Sequence, residues 1–194
     1  PWKGNYLHDL YKMGATPYSW HKKIFDYAKK KKILCFSTPF DIEAVKLLEK
    51  LKVKLYKIAS FEINHIPLLE EVGKTKKPVI ISTGMANIED VNLAIKTLKK
   101  NGSTDIAILH CISSYPSKPH NYNLNFINRL KKFNFPIGLS DHTIGNIVAI
   151  SSIGMGVKIF EKHIKLDSEK GLDSKFSTNP SEFKNYIDDI NLAF

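Results

Sequence analysis

The stretch "FPIGLSDHT", Phe135 to Thr143, passes from apolar to polar within one short segment. "FPIGL" reads as a buried β-strand, yet Ser140, Asp141 and His142 follow with no interruption. One unit later "VKIFEKHI", Val157 to Ile164, repeats the pattern and ends in Glu161, Lys162 and His163. A strand that finishes in hydrogen-bonding and metal-binding groups delivers them to a site, not to a core.

Working outward from these segments, β-rich apolar runs alternate with stretches of helical period. Ile33 to Thr38, Val53 to Ser60, Pro78 to Gly84, Asp105 to Cys111, Pro136 to His142 and Val157 to His163 are six expected strands, each followed by an amphipathic segment such as "DIEAVKLLEKL" or "NIEDVNLAIKTLKKNG". An additional helix, "PYSWHKKIFDYAKKK", precedes them. Continuous apolar strands separated by crossover helices predict a parallel sheet buried on both faces. A doubly wound open sheet and a (β/α)8 barrel both fit this pattern. No G-x-G-x-x-G or G-x-x-x-x-G-K-[ST] turn follows the first run, which weighs against a nucleotide-binding open sheet. All six runs end in polar residues: Ser37 and Thr38; Lys57 and Ser60; Ser82 and Thr83; His110 and Ser113; Ser140, Asp141 and His142; Glu161 and His163. In a TIM barrel such ends converge on one mouth, and eight strands over about 250 residues are typical. The expected fold is therefore α/β, a partial TIM (β/α)8 barrel holding strands 3 to 8, with residues 1–194 forming one partial catalytic domain that lacks the first two strands.

Composition agrees with a globular domain: 194 residues, 43% hydrophobic and 25% charged. No apolar run approaches the roughly 20 residues needed to cross a bilayer, no signal-peptide pattern follows Pro1, and the expected location is cytoplasmic. Cys35 and Cys111 share no motif, sit in strand-like runs and are expected to be buried free thiols. The net charge of +10 raises the prospect of nucleic acid or an anionic ligand. The lysines, however, cluster at helix ends such as Lys29 to Lys32 and Lys99–Lys100, where cations suit the helix dipole. No nucleic-acid motif accompanies them, so neither nucleic acid nor membrane is expected as a partner, and a basic RNA- or anion-binding module is the remote alternative.

The chemistry lies at the strand ends. His142 and His163 close consecutive strands, which lie about 4.8 Å apart in a sheet, so two imidazoles at equal height can share a metal. Two protein ligands leave positions for water and substrate oxygens, as an open Lewis-acid site requires. Imidazole with oxygen ligands suits Mn²⁺ or a similar divalent ion. Lys57, inside an apolar strand, must meet an anion or lose its charge. Thr38, Ser60, Ser82, Ser113 and Ser140 are hydroxyl donors at the strand ends. Glu62 and Asp173 are candidates for binding sugar hydroxyls or for proton transfer. Tyr115 in "SSYP" is a candidate to pack over a substrate or to fill the rim. A metal beside an anion site can polarise a carbonyl while a phosphorylated carboxylate partner is held in place, which suggests a metal-assisted lyase or transferase. Asp141 has no assigned role beyond orienting His142 from behind.

"FSTPFD", "YKIASFEI", "KPVIISTGMA", "LHCISSYP", "GLSDHT", "FEKHI" and "GLDSKFSTNP" stand in the order seen in the sialic acid (N-acetylneuraminate) synthase family, and the chain resembles that family throughout. Within it, "LHDLYKMGATPYSWHKKIFDYAKK", Phe61 and Ser113 are most similar to the pseudaminic acid synthases, whereas His110 is closer to the sialic acid type. The resemblance implies a TIM barrel that condenses phosphoenolpyruvate with an acetamido sugar to give a nonulosonic acid and phosphate. For the pseudaminic type the sugar is 2,4-diacetamido-2,4,6-trideoxy-altrose; N-acetylneuraminate or legionaminic acid synthesis is the alternative. It implies a divalent cation, Mn²⁺ first with Mg²⁺ or Co²⁺ as substitutes, on His142 and His163. It places phosphoenolpyruvate on Lys57, Thr38, Ser60, Ser82, Ser113 and Ser140, and the sugar on Glu62, Tyr115 and Asp173, with Lys57, Glu62 and His163 as catalytic groups. It also implies a homodimer completed by a C-terminal antifreeze-like domain, which is not expected within these residues. A fragment of this kind, with two open sheet edges, is expected to be inactive and poorly stable alone.

Overall fold

Five of the expected strands form one parallel sheet in the computed structural model, which describes residues 4, 6–168 and 170–194. They are β1 (Tyr56–Ile58), β2 (Val79–Ser82), β3 (Ile106–Cys111), β4 (Ile137–Asp141) and β5 (Ile159–Lys162), hydrogen-bonded in the order β1-β2-β3-β4-β5. Each strand lies beside its successor in sequence, whereas a doubly wound sheet reverses direction at a switch point. Helices α1 (Leu7–Gly14), α2 (Tyr18–Lys30) and α3 (Ile42–Lys50) precede the sheet. Helices α4 (Ile66–Lys74), α5 (Ile88–Asn101), α6 (Phe126–Leu130) and α7 (Ile147–Ile153) make the crossovers, and α8 (Pro180–Ala193) follows β5.

The expected first strand, Ile33 to Thr38, is corrected. Those residues join no ladder among the described residues, and Ile33 and Leu34 are 66% and 57% exposed. Apolar, β-branched composition gives a segment its preference, but a ladder also needs a neighbour in register. The sheet edge at β1 is only three residues long.

Strand periodicity splits the sheet into two faces. Tyr56, Ile58, Val79, Ile81, Ile106, Ile108, Ile137 and Leu139 point to the helices and join one core with Val45, Leu48, Leu68, Val72, Val91, Leu98, Val148 and Tyr186. Burying each such aliphatic side chain contributes roughly 1.5–3 kcal/mol. The opposite, inner face carries Lys57, Ser82, Cys111, Ser140 and Glu161, set by the same alternation and by the pairs Leu109↔Ser82, Cys111↔Ser140 and Ser140↔Glu161. Gly138 belongs to this face, and β4 needs glycine there. A Cβ would lie 2.3 Å from Leu109 Cδ2 and 2.7 Å from the Ile159 carbonyl.

Helix ends are set by local chemistry. Asp41 caps α3 by accepting from the Ala44 N–H at 2.6 Å. Asn87–Asp90 and Asn179–Glu182 close reciprocal capping boxes on α5 and α8. Such caps contribute about 1 kcal/mol each. Among the described residues no helix is long and apolar enough to cross a membrane.

Candidate active site

The inner face of the sheet changes character at the C-terminal ends of its strands. Lys57, 6% exposed, donates from Nζ to Ser82 Oγ at 2.8 Å and to the Ile58 carbonyl at 3.3 Å. Glu161 Oε2 lies 3.6 Å from the same ammonium. One strand along, the Gly84 N–H donates to Ser60 Oγ at 3.0 Å, and Ser60 Oγ in turn faces Cys111 Sγ at 3.5 Å. Gly84 leaves the room these groups use: a Cβ on it would sit 2.3 Å from Ser113 Oγ, 2.9 Å from Ser60 Oγ and 3.0 Å from Cys111 Sγ. The result is a cluster of hydroxyls and a backbone N–H beside a buried lysine. Ser140, 2% exposed, continues the face on β4.

The two histidines close this cluster. His142 and His163 lie with ring centroids 5.3 Å apart. His142 Nδ1 is 2.9 Å from the Ile112 carbonyl. A carbonyl only accepts, so Nδ1 carries the proton and Nε2 the lone pair. The His142 backbone is held as well: its N–H donates to Tyr122 Oη at 3.2 Å, and its carbonyl accepts from the Ser117 N–H at 2.9 Å. His163 Nδ1 faces Asp173 Oδ2 at 3.5 Å, and its carbonyl accepts from both the N–H and the hydroxyl of Thr178 at 2.9 Å. Burial pushes the pKa of both imidazoles below the usual histidine value, so both are neutral at pH 7, the form that binds metals. Among the described residues no group of three or more His, Cys, Asp or Glu side chains is placed to hold a metal ion. Two neutral imidazoles with their Nδ1 atoms turned to other partners therefore fit a divalent ion only as an open site, with substrate or water filling its other positions.

Tyr115 packs over the pair, its ring centroid 4.4 Å from His142 and 5.0 Å from Phe176, and burial pushes its hydroxyl up to about 12. Phe176 also contacts His163 at 5.0 Å between centroids. Glu62 lies on the turn after β1; its Oε2 is buried without a hydrogen-bond partner, and burial raises its pKa, opposed in part by His65 and Lys57.

The structure thus groups Lys57 and Ser82 with Glu161, links Ser60 through Cys111 to His142, and joins His142 to His163 and Tyr115 and His163 to Asp173, with Ser113 Oγ buried beside Gly84 and without a hydrogen-bond partner among the described residues. Thr38 lies in the irregular segment before the α3 cap and makes no hydrogen bond to these groups among the described residues. Not every strand-end polar group faces this cluster. His110 points to the helices, its Nε2 2.6 Å from the Tyr122 carbonyl and its ring against Phe126. Asp141 is likewise on the helix side and takes its bonds from Thr143 and Lys162, so Ile112 and not Asp141 sets the orientation of the His142 ring. Two inner-face groups stand in the cluster without having been singled out as site residues: Glu161 beside Lys57, and Cys111, whose Sγ is 3.8 Å from His142 Nδ1. Strand parity with His163 was the available signal for Glu161; Cys111 reads from sequence as any apolar strand residue.

Comparison with known proteins adds an independent line. The NeuB family model matches residues 1–194. Pseudaminic acid synthase of Campylobacter jejuni is 40% identical over 194 residues, covering 99% of this chain and 57% of that protein. N,N'-diacetyllegionaminic acid synthase of the same species is 40% identical over 168 residues, covering 84% of this chain and 50% of that protein. Among solved structures, the N-acetylneuraminic acid (sialic acid) synthetase of Leptospira borgpetersenii superposes with a TM-score of 0.90 at 33% identity, covering 98% of this chain and 68% of that one. The chain spans about half the length of the curated relatives it matches.

Proposed function

The chain belongs to the NeuB family, and from that premise we propose that it is the partial TIM-barrel portion of an enzyme that condenses phosphoenolpyruvate with 2,4-diacetamido-2,4,6-trideoxy-altrose, giving pseudaminic acid and phosphate. One observation carries the reading: a buried lysine with a hydroxyl cluster stands beside a pair of neutral imidazoles at one end of a parallel sheet. The unreversed strand order supports the barrel. Family resemblance supports a cytoplasmic homodimer completed by a C-terminal antifreeze-like domain.

In this reading Lys57, Ser60, Ser82, Ser113 and Ser140 hold the phosphate and carboxylate of phosphoenolpyruvate, with Thr38 contributing once that substrate is bound. Glu62, Tyr115 and Asp173 line the sugar site. His142 and His163 would hold Mn²⁺, whose chemistry when bound is to polarise the sugar aldehyde. Carbon 3 of phosphoenolpyruvate forms a bond to the aldehyde carbon, and the carbonyl oxygen takes up a proton. Water adds to the cationic carbon 2 and loses its proton. Cleavage of the bond between carbon 2 and the phosphate oxygen then releases phosphate, which takes up the carbon 2 hydroxyl proton, and leaves the 2-keto acid. Lys57 offsets anionic charge throughout, and Tyr115 with Phe176 packs against the two imidazoles and fixes their placement.

Legionaminic acid synthesis is the second reading, since that relative is equally identical. The pseudaminic relative aligns over more of the chain, and the resemblance at Phe61 and Ser113 points the same way. The test is phosphate release by the complete gene product with Mn²⁺, phosphoenolpyruvate and either the altrose-configured diacetamido sugar or N-acetylmannosamine. Release with the first sugar is expected; release only with the second overturns the pseudaminic assignment. In the same protein His142→Ala is expected to abolish Mn²⁺ binding, and unchanged Mn²⁺ affinity rules that residue out as a ligand.

A further inference from the structure

Directly behind the two histidines, on the helix side of the sheet, the aliphatic face gives way to an ion pair. Asp141 on β4 and Lys162 on β5 are register partners, their Nζ to Oδ2 distance is 3.0 Å, and their side chains are 0% and 1% exposed. Lys162 Nζ also donates to the Thr143 carbonyl at 2.5 Å and the Gly145 carbonyl at 3.2 Å, with the Tyr186 ring of α8 5.0 Å away. Asp141 Oδ1 accepts from the Thr143 N–H at 2.8 Å and from its hydroxyl at 2.7 Å. The residue before His163 therefore grips the chain at positions 141, 143 and 145, on both sides of His142.

Stability alone is a weak reason for such a pair, because burying two charges seldom repays their desolvation and an aliphatic pair does as well. Aliphatic residues fill this same face immediately before it, at Ile137 and Leu139. What an ion pair adds is register. A one-residue slip of β4 against β5 would turn His142 to the helix side and carry Asp141 to the inner face, leaving Lys162 buried without its carboxylate. We propose that Asp141 and Lys162 are positioning residues that lock the height and separation of His142 and His163 from the far side of the sheet. The inference rests on the metal reading of those histidines.

The test titrates Mn²⁺ alone into the metal-free complete gene product, read by electron paramagnetic resonance, beside thermal unfolding of the same samples. The double variant Asp141→Leu/Lys162→Met leaves no buried charge. It is expected to unfold near the wild-type temperature yet bind Mn²⁺ about tenfold more weakly, the scale of outer partners of metal ligands. A purely structural pair would move the unfolding temperature and leave the affinity of the folded protein alone. Affinity within twofold of wild type in the folded double variant overturns the inference. Should that variant fail to fold, Asp141→Asn, which keeps the shape and the Thr143 bonds, is expected to weaken Mn²⁺ binding several-fold, and unchanged affinity there overturns it equally. Wild-type protein that binds no Mn²⁺ overturns the metal reading and this inference with it. Wild-type binding with unchanged variants overturns this inference alone.

Discussion

Gly84→Ala separates the proposed anion site from the fold. The added methyl would stand 2.3 Å from Ser113 Oγ, 2.9 Å from Ser60 Oγ and 3.0 Å from Cys111 Sγ, all atoms at the ends of side chains that can rotate away. Stability should therefore fall by about 1 kcal/mol or less, since no backbone atom is forced to move. Ligand binding should suffer more, because the displaced atoms are the hydroxyls assigned to phosphoenolpyruvate. A hydrogen bond to a charged group is worth roughly 1.5–3 kcal/mol. Losing one weakens binding about tenfold to a hundredfold, at 1.4 kcal/mol per decade. The assay is calorimetric titration of phosphoenolpyruvate into the complete gene product loaded with Mn²⁺, with thermal unfolding as the control for folding. Affinity within twofold of wild type in a folded variant would refute the placement of phosphoenolpyruvate on Ser60 and Ser113.

Three further outcomes follow from the same geometry. Gly138→Ala should cost about 3 kcal/mol in denaturant unfolding, because its Cβ meets the Ile159 carbonyl at 2.7 Å and Ile159 Cβ at 2.8 Å, where relief requires the strands to part. Tyr122→Phe removes a hydroxyl that donates to the Ser140 carbonyl and accepts from the His142 N–H, and it should cost about 1–3 kcal/mol by leaving buried backbone groups unpaired. Equal stability of the phenylalanine variant by urea titration would contradict that bracing role. Glu62 has a pKa raised by burial, so the folded state binds its proton more tightly than the unfolded chain does, and the cost of ionising it is incurred as pH rises through the folded value. Glu62→Gln should therefore raise the melting temperature at pH 7 and lose that advantage near pH 4; a difference independent of pH would refute the burial argument.

Much of this could be read from residue order. The alternation of apolar runs with amphipathic segments places β2 to β5 within a residue or two of where they occur, and the recurrence of hydroxyls, lysine and histidines at run ends marks one end of the sheet as the candidate site. Ile33 to Thr38 misled because its composition is that of a strand while pairing depends on a neighbour. Cys111 and His110, adjacent in one run, carry no mark in sequence of which faces the site.

That ambiguity has a physical cause. In a strand buried on both faces, apolar residues occupy both parities, so alternation says that neighbours diverge but not which one turns inward. The sequence alone determined the class of fold, the order of its elements and the chemical types gathered at the strand ends, because these depend on local period and residue chemistry. Only the tertiary structure decided that Glu161 meets Lys57, that His110 and Asp141 turn to the helices, and that Lys162 reaches around His142. Those outcomes depend on register between strands and on the helices packed behind them, contacts made between residues far apart in the chain.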